Sequence, residues 1–514
     1  MKKAWLVFFA VVLSGTLGAA PRADAPSGAA GSKAPVTFTI WVDMPWFWYD
    51  KYEGKEVADK MTEISGVKLE MTRAVDTTQL PIMIASGNLP DLIYTDFQNS
   101  IVGLSDPNVC WPMNELSARY GVDIHASEVD ISNNTADDGN YYTIKNIFIP
   151  QERYAKGEVV SGPGTSSVSY RLDIWEEIGR PQFNTLDDLE KALIAAKEKY
   201  PRIVPFLNDG GVLGYVKRFF MRQLGIPDSN FQYDSRGNVI HLISNPDLLE
   251  YYKLMNRYYR QGLISLEAQT YNYERFQDLR NSGNTFMTNR SSGEAGLSNA
   301  AQVQAGRNLR FKLIDHNLGN KPVVFDTGIG WAGLFITKNN KDPRRAIEYF
   351  AWHRLPETRR LAAWGIEGRH WEYNEKGQTV RTQWLRDAVA GGGSQYDYGI
   401  GTWLFGDQGD ENAFIDYGVT SQDALDALNL RRETAKITQV HPELYFAEPK
   451  DGDMRIIFTR ISDMFITASN EIIFADSEAA MLAAYNRMVQ QANTLGLGTL
   501  EKWSNDTVKA RLAK

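Results

Sequence analysis

Between Val36 and Tyr94 the hydrophobic spacing switches repeatedly between two residues and three or four, and few folds accommodate that switch. Val36, Phe38, Ile40 and Val42 take every second position, the period of a strand. Val57, Met61 and Ile64 recur at helical spacing, and Gly66 is placed to end that helix. Val67, Leu69 and Met71 alternate again. A short helix is expected from Leu80 to Ser86, stopped by Gly87, and Asp91–Tyr94 reads as a third strand. A β-α-β-α-β run of this kind builds a parallel sheet, because its crossovers are right-handed and each returns the chain in the same direction. In open α/β sheets ligands sit outside the carboxyl ends of the strands. Two segments occupy that place here, Asp43 to Asp50 and Thr95-Asp96-Phe97.

The 514 residues leave room for about three ordinary domains or two large ones. A second α/β unit follows the first. Thr185 with Asp188 three residues on is close to a capping box, and Leu186, Leu189 and Leu193 form the stripe of the helix behind it. Asn245-Pro246 is expected to start a helix carrying Leu249, Tyr252 and Met255 that ends before Gly262. Leu334-Phe335-Ile336 reads as a strand. Asp342-Pro343 opens a helix bearing Ile347 and Phe350, and a further helix runs from Pro356 to Gly365. The C-terminal region is expected to be mostly helical, with apolar runs around Ile456–Ile466 and Ala479–Met488.

Lys2 and Lys3 precede an apolar run from Ala4 to Leu13, too short to span a bilayer and shaped like an export signal. Small residues at Gly18–Ala20 and Ala23–Ala25 offer cleavage points, so residues 1–25 are expected to be a signal peptide. Residues 26–35, rich in Ala, Pro, Gly and Ser, read as a flexible tether. Leu13-Ser14-Gly15-Thr16 resembles a bacterial lipobox in which Thr16 stands where the lipid-bearing Cys belongs. The mature chain is expected to be soluble and exported, at the cell surface, in the periplasm or released.

Several chemistries are excluded. With 55 Lys+Arg against 63 Asp+Glu the net charge is −8, a poor balance for binding nucleic acid. The one cysteine, Cys110, cannot form an intramolecular disulfide or a Cys-rich zinc site. The sequence holds no His-Glu-x-x-His, no Gly-x-Ser-x-Gly and no phosphate-binding loop of the Walker type. Gly328-Ile329-Gly330-Trp331-Ala332-Gly333 matches the dinucleotide pattern in letters only, because a strand is expected after it where a helix is needed. Asp407, Asp410 and Glu411, like Asp451 and Asp453, lack the ligand spacing of a calcium loop and read as solvated acidic loops. No catalytic residue, metal or cofactor is expected.

The aromatic residues remain. Pro45-Trp46-Phe47-Trp48-Tyr49 places four aromatics in a row just after the first strand. Neighbouring residues point apart in regular structure, so the four cannot all face one core, and at least one of Trp46, Trp48 and Tyr49 is expected in the strand-end crevice. An exposed Trp or Tyr covers the apolar C–H face of a sugar ring, while carboxylates, amides and Arg bond its hydroxyl rim. Trp331, Trp364, Trp371 and Trp403 flank glycines in loop-like sequence and fit a pocket or a core equally.

Five stretches resemble the large oligosaccharide-binding group of bacterial extracellular solute-binding proteins of ABC importers. They are Ala85–Ile93 (Ala-Ser-Gly-Asn-Leu-Pro-Asp-Leu-Ile), Trp111–Leu116 and Tyr170–Trp175 with Thr185–Leu189. The others are Tyr259–Ile264 and Ile336–Pro343 continuing to Gly365–Gly368. Their order covers the body from Val36 to about residue 510. The resemblance implies an α/β, two-lobe periplasmic-binding-protein fold with discontinuous lobes and a central hinge cleft. The N-terminal lobe would comprise 36–165 and 328–375, the C-terminal lobe 166–327 and 376–514. It further implies a solute, an oligosaccharide, captured in the cleft and passed to a membrane ABC permease. Alginate-binding members are similar at Trp46 to Trp48, at Trp331 and at Trp403. Tyr170 and Arg171 sit at the lobe crossing and either face the cleft or, for Arg171, form a structural ion pair. Together with Tyr49 and Asp96 these are the expected ligand-binding residues. The calcium loop that many members carry after the helix starting at Thr185 is replaced by Glu198-Lys199-Tyr200-Pro201-Arg202. A receptor of the same architecture for a peptide or other non-sugar solute is the alternative, and a glycan-processing enzyme the third reading.

Overall fold

In this computed structural model residues 34–513 are described, apart from 77, 97–100, 137, 147–165, 209–213, 292–294, 296–297, 300, 303–304, 315, 320–322, 327–329, 331, 376–378, 392, 402–435 and 450–451. The expected signal segment and nearly all of the expected tether lie outside the described residues. Among the described residues the strands in chain order are β1 (Val36–Asp43), β2 (Val67–Arg73), β3 (Leu92–Asp96), β4 (Ser166–Arg171), β5 (Val204–Asn208), β6 (Phe231–Tyr233), β7 (Val239–His241), β8 (Thr285–Ser291), β9 (Phe311–Ile314), β10 (Val323–Asp326), β11 (Ala332–Ile336), β12 (Trp371–Tyr373), β13 (Thr379–Arg381) and β14 (Lys436–Val440).

Two four-stranded sheets organise the chain. The first has the order β11-β3-β1-β2, with β1, β2 and β3 parallel and β11 antiparallel to β3. The second has the order β5-β8-β4-β9, with β5 and β8 parallel and β4 antiparallel to both β8 and β9. Each sheet has its own core. Phe38, Ile40, Met61, Leu69, Ile336 and Phe350 belong to the first. Val168, Phe206, Tyr252, Met287, Phe458 and Met488 belong to the second. Each core therefore gathers segments from distant parts of the sequence. Between them, the Arg511 guanidinium in the last helix donates to the carbonyls of Ser132 (2.6 Å) and Thr135 (3.3 Å) at the end of a helix in the first body.

Local sequence explains most element ends. The helix Glu56–Ser65 stops because Gly66 adopts φ 67°, a left-handed conformation that glycine takes without steric cost. Thr185 and Asp188 form the full reciprocal capping box of the helix Leu186–Lys199. Asp342 caps the helix Pro343–His353 by accepting from the Arg345 N–H at 3.0 Å. Asn245-Pro246 does not start its helix. The Asn245 side chain accepts the Asp247 N–H at 2.7 Å, which makes a turn, and the helix begins at Leu248. Ile64, expected on a buried stripe, is exposed, because Val57, Ala58 and Met61 supply the buried face.

Beyond residue 375, where the chain is expected to leave the first body, some residues still pack on the first core. Leu385 and Ile400 are fully buried members of the first core. Gly399, with φ 78°, lies against Lys55, Tyr52 and Val57, so the turn around it is pressed onto the N-terminal loop.

Candidate functional site

The carboxyl edge of the first sheet is built by three strands. β1 and β3 end side by side, with Asp43 level with Thr95. β11 enters at the same edge, its Ala332 level with Asp96, which is partly buried. Beneath lies the fully buried Asp43 carboxylate, which accepts from Trp41 Nε1 and Thr95 Oγ1, both at 3.3 Å. Asn146 closes the side: its N–H donates to the Ala332 carbonyl (3.0 Å) and its Oδ1 accepts the Ala332 N–H (3.3 Å). Burial pushes the Tyr94 phenol far above its ordinary range, so it stays protonated.

The aromatic segment turns over this edge. Phe47 N–H donates to the Met44 carbonyl at 2.9 Å, closing a four-residue turn with Pro45 at its second position, where a fixed φ favours the turn. Arg73, at the end of β2, donates to the Phe47 carbonyl at 2.7 Å and holds the turn down. The rings then alternate. Phe47 and Tyr49 sink into the core, whereas Trp46 and Trp48 are only half-buried. The two indoles meet edge to face, 5.7 Å apart at 80°. Trp48 stacks on Tyr396, 5.0 Å away and 13° from parallel. Tyr49 is therefore placed in the core, stacked on Tyr52 at 5.9 Å with the Lys55 ammonium 5.1 Å from its ring centre.

The other expected residues are scattered. Tyr170 is buried in the second core against Phe183 (5.1 Å) and Trp175 (5.9 Å). Arg171 pairs with Asp173 at 2.7 Å and also donates to the Gly283 carbonyl. Both lie at the carboxyl end of β4, the edge of the second sheet opposite the carboxyl ends of β5 and β8. The structure does not bring them to the edge where ligands of such sheets bind. Trp331 and Trp403 lie outside the described residues. Trp364 and Trp371 are core: both are buried, and Trp371 Nε1 donates to the Gly365 carbonyl at 2.8 Å.

Sequence reasoning missed the carboxyl edge of the second sheet. There Asn208 at the end of β5 is level with Asn289 of β8, and the Asn289 amide donates to Ser166 Oγ (3.0 Å) and the Ser167 carbonyl (2.8 Å). Two residues inward the same face carries Phe206 and Met287. The helix Tyr215–Leu224 is also close, because Ser166 Oγ donates to the Tyr215 carbonyl at 2.5 Å; its N-cap, Gly214, makes no side-chain cap bond. Burial opposes charge on Asp228 nearby, but Lys217 (3.1 Å) and Arg218 (2.9 Å) hold its carboxyl below the usual range. The available signal was a polar Asn closing an otherwise apolar strand, Val204-Pro205-Phe206-Leu207-Asn208.

Among the described residues no group of three His, Cys, Asp or Glu is placed to hold a metal ion, and no helix is long and apolar enough to cross a membrane. The helix Leu186–Lys199 passes to β5 through a turn in which Ile203 N–H donates to the Tyr200 carbonyl at 2.9 Å.

No family model matches the chain, and no curated protein matches it. Solved structures do. The alginate-binding protein AlgQ2, solved without calcium ion, superposes with a TM-score of 0.70 at 17% identity, over 93% of this chain and 99% of that one. The chain has the fold of a two-lobe solute-binding protein. The Streptococcus pneumoniae ABC-transporter substrate-binding protein FusA in complex with kestose gives 0.63 at 15% identity, over 93% and 100%. The N-glycan transport solute-binding protein NgtS of Streptococcus pneumoniae in complex with Man1GlcNAc gives 0.56 at 16%, over 92% and 99%. These neighbours are binding proteins rather than enzymes.

Proposed function

We propose that the chain is the substrate-binding component of an ABC importer, holding an oligosaccharide between its two lobes and passing it unaltered to a membrane permease. The observation that carries this reading is the pair of half-buried indoles, Trp46 and Trp48, held at the carboxyl edge of the first sheet by Pro45, Arg73 and Tyr396. Indole faces suit sugar rings, and the neighbours of the same fold carry sugars in their names. The first lobe would comprise the segments 36–146 and 332–401, the second 166–326 and 436–513, and the ligand-binding residues would be Trp46, Trp48, Asp96 and Trp331. The chain would be exported, with residues 1–25 removed, and would carry out no bond-making or bond-breaking.

Isothermal titration of the purified mature chain against alginate oligosaccharides, kestose and Man1GlcNAc tests the reading. Saturable binding of at least one, with the sugar recovered intact, is expected. Heat-silent titrations with all three, or cleavage of a bound sugar, would overturn it.

A further inference from the structure

The second sheet changes character within one step of its pleat. Phe206, Met287 and Tyr170 lie level across one face of β5, β8 and β4, all packed in the core. Two residues toward the carboxyl edge, the same face presents the amides of Asn208 and Asn289, with Ser166 at the same edge accepting from the Asn289 amide. Residues level on neighbouring parallel strands sit about 4.8 Å apart, so the two amides are side by side.

Their hydrogen bonding is incomplete. Asn289 spends its amide N–H groups on Ser166 and Ser167, but its Oδ1 has no partner. Asn208 is 1% exposed, and neither its Nδ2 nor its Oδ1 has a partner. Among the described residues it is the only Asn or Gln with both amide atoms in that state. Leaving a buried amide unbonded costs free energy that an apolar residue of similar size would not, so its place at a strand end calls for a partner the chain itself does not supply. A primary amide is donor and acceptor at once. A hydroxyl group is too, and Asn208, with donor and acceptor both unspent, beside the unspent Asn289 Oδ1 matches neighbouring hydroxyls of a sugar ring. A carboxylate, which only accepts, would leave both Oδ1 atoms unmet.

We infer that Asn208 and Asn289 form the hydrogen-bonding subsite of the second lobe, taking two hydroxyls of the bound sugar while the indoles of the first lobe take its ring face. This rests on the sugar-binding reading above. Asn208 and Asn289 are both buried, and hinge opening is the motion by which two-lobe proteins uncover such edges.

The experiment compares the mature wild-type chain with Asn208→Ala and Asn289→Ala, using whichever sugar of the three binds the wild type. Sugar affinity is read by isothermal titration, and the melting temperature of the free form is read beside it. Asn208→Ala is expected to weaken binding about tenfold or more while leaving the free form as stable as wild type or slightly more stable, since it removes an unbonded amide. Asn289→Ala is expected to weaken binding and also to lower the melting temperature, because it breaks the bonds to Ser166 and Ser167. Unchanged affinity in Asn208→Ala would overturn the subsite while leaving the sugar-binding reading intact. A drop in melting temperature without loss of affinity would overturn it too, by assigning Asn208 a structural role. Wild-type silence toward all three sugars would defeat both readings together.

Discussion

The two sheets present unlike carboxyl edges. The first ends in rings: Trp46 and Trp48 stand half out of the core, and Tyr396 is stacked against Trp48. The second ends in amides and hydroxyls, Asn208, Asn289 and Ser166, on a face that is aromatic and aliphatic only two residues earlier. A ring face contributes area and tolerates many guests. An amide row contributes direction and rejects a guest whose hydroxyls are misplaced. The difference suggests a division of labour in which the first lobe supplies affinity and the second supplies selectivity.

The largest effect expected is an acid sensitivity that the two bodies share. Burial lowers the His241 pKa in the second body from 6.5 to about 4, and burial lowers that of His353 in the first from 6.5 to about 3. A folded-state value below the unfolded one means the unfolded chain takes up protons first as pH falls. Stability is therefore full above pH 6.5 and is lost progressively toward pH 4, by up to about 3 kcal/mol for His241 alone. Urea midpoints measured from pH 7.5 to pH 4 should fall in that window, and His241→Asn should remove the second body's share of the slope. A flat profile would contradict the burial of both imidazoles.

Next in size is Trp48→Ala. Truncating a stacking indole at a binding centre costs about 2 kcal/mol, or roughly 30-fold in affinity. If the rings supply affinity, every sugar that binds should lose by a similar factor, as read by calorimetry. A loss confined to one sugar would hand selectivity to the first lobe instead. The smallest effect is expected from Tyr396, which stacks against Trp48. Tyr396→Ala should weaken binding about threefold, the worth of one aromatic contact, and alter the near-ultraviolet circular dichroism of the indole. Tyr396→Phe keeps the stack and should restore both signals. Should the phenylalanine variant bind as weakly as alanine, the hydroxyl rather than the stack would be what matters.

The first sheet was legible because its signals are local. Alternation in Val36–Val42 and Val67–Met71, and glycines at 66 and 87, mark each strand and helix within a few residues. The aromatic run was legible as a run but not in its packing: all four rings gather on one core, Phe47 and Tyr49 inside it and Trp46 and Trp48 partly buried against it. Tyr396 was not legible. Its contact with Trp48 spans more than three hundred residues, and the nearby Gly399 turn is packed against Tyr52 and Lys55 of the N-terminal loop. Asn208 and Asn289 were hidden for a similar reason. Each is one polar letter in the sequence, and their meaning comes from the register that sets them level across a sheet. Tyr170 and Arg171 misled in the opposite sense: they adjoin a lobe crossing in sequence, yet β4 is antiparallel to β8. They end up about 14 Å (Tyr170) and about 17 Å (Arg171) along the strand from the edge that Ser166 occupies.

Tryptophan fluorescence during titration with the three sugars puts the account to its most direct trial. A saturable change in the wild type, strongly reduced in Trp46→Phe/Trp48→Phe and accompanied by release of chemically intact sugar, is the predicted result. An unchanged response in that double variant, or hydrolysed sugar in the recovered ligand, would contradict it.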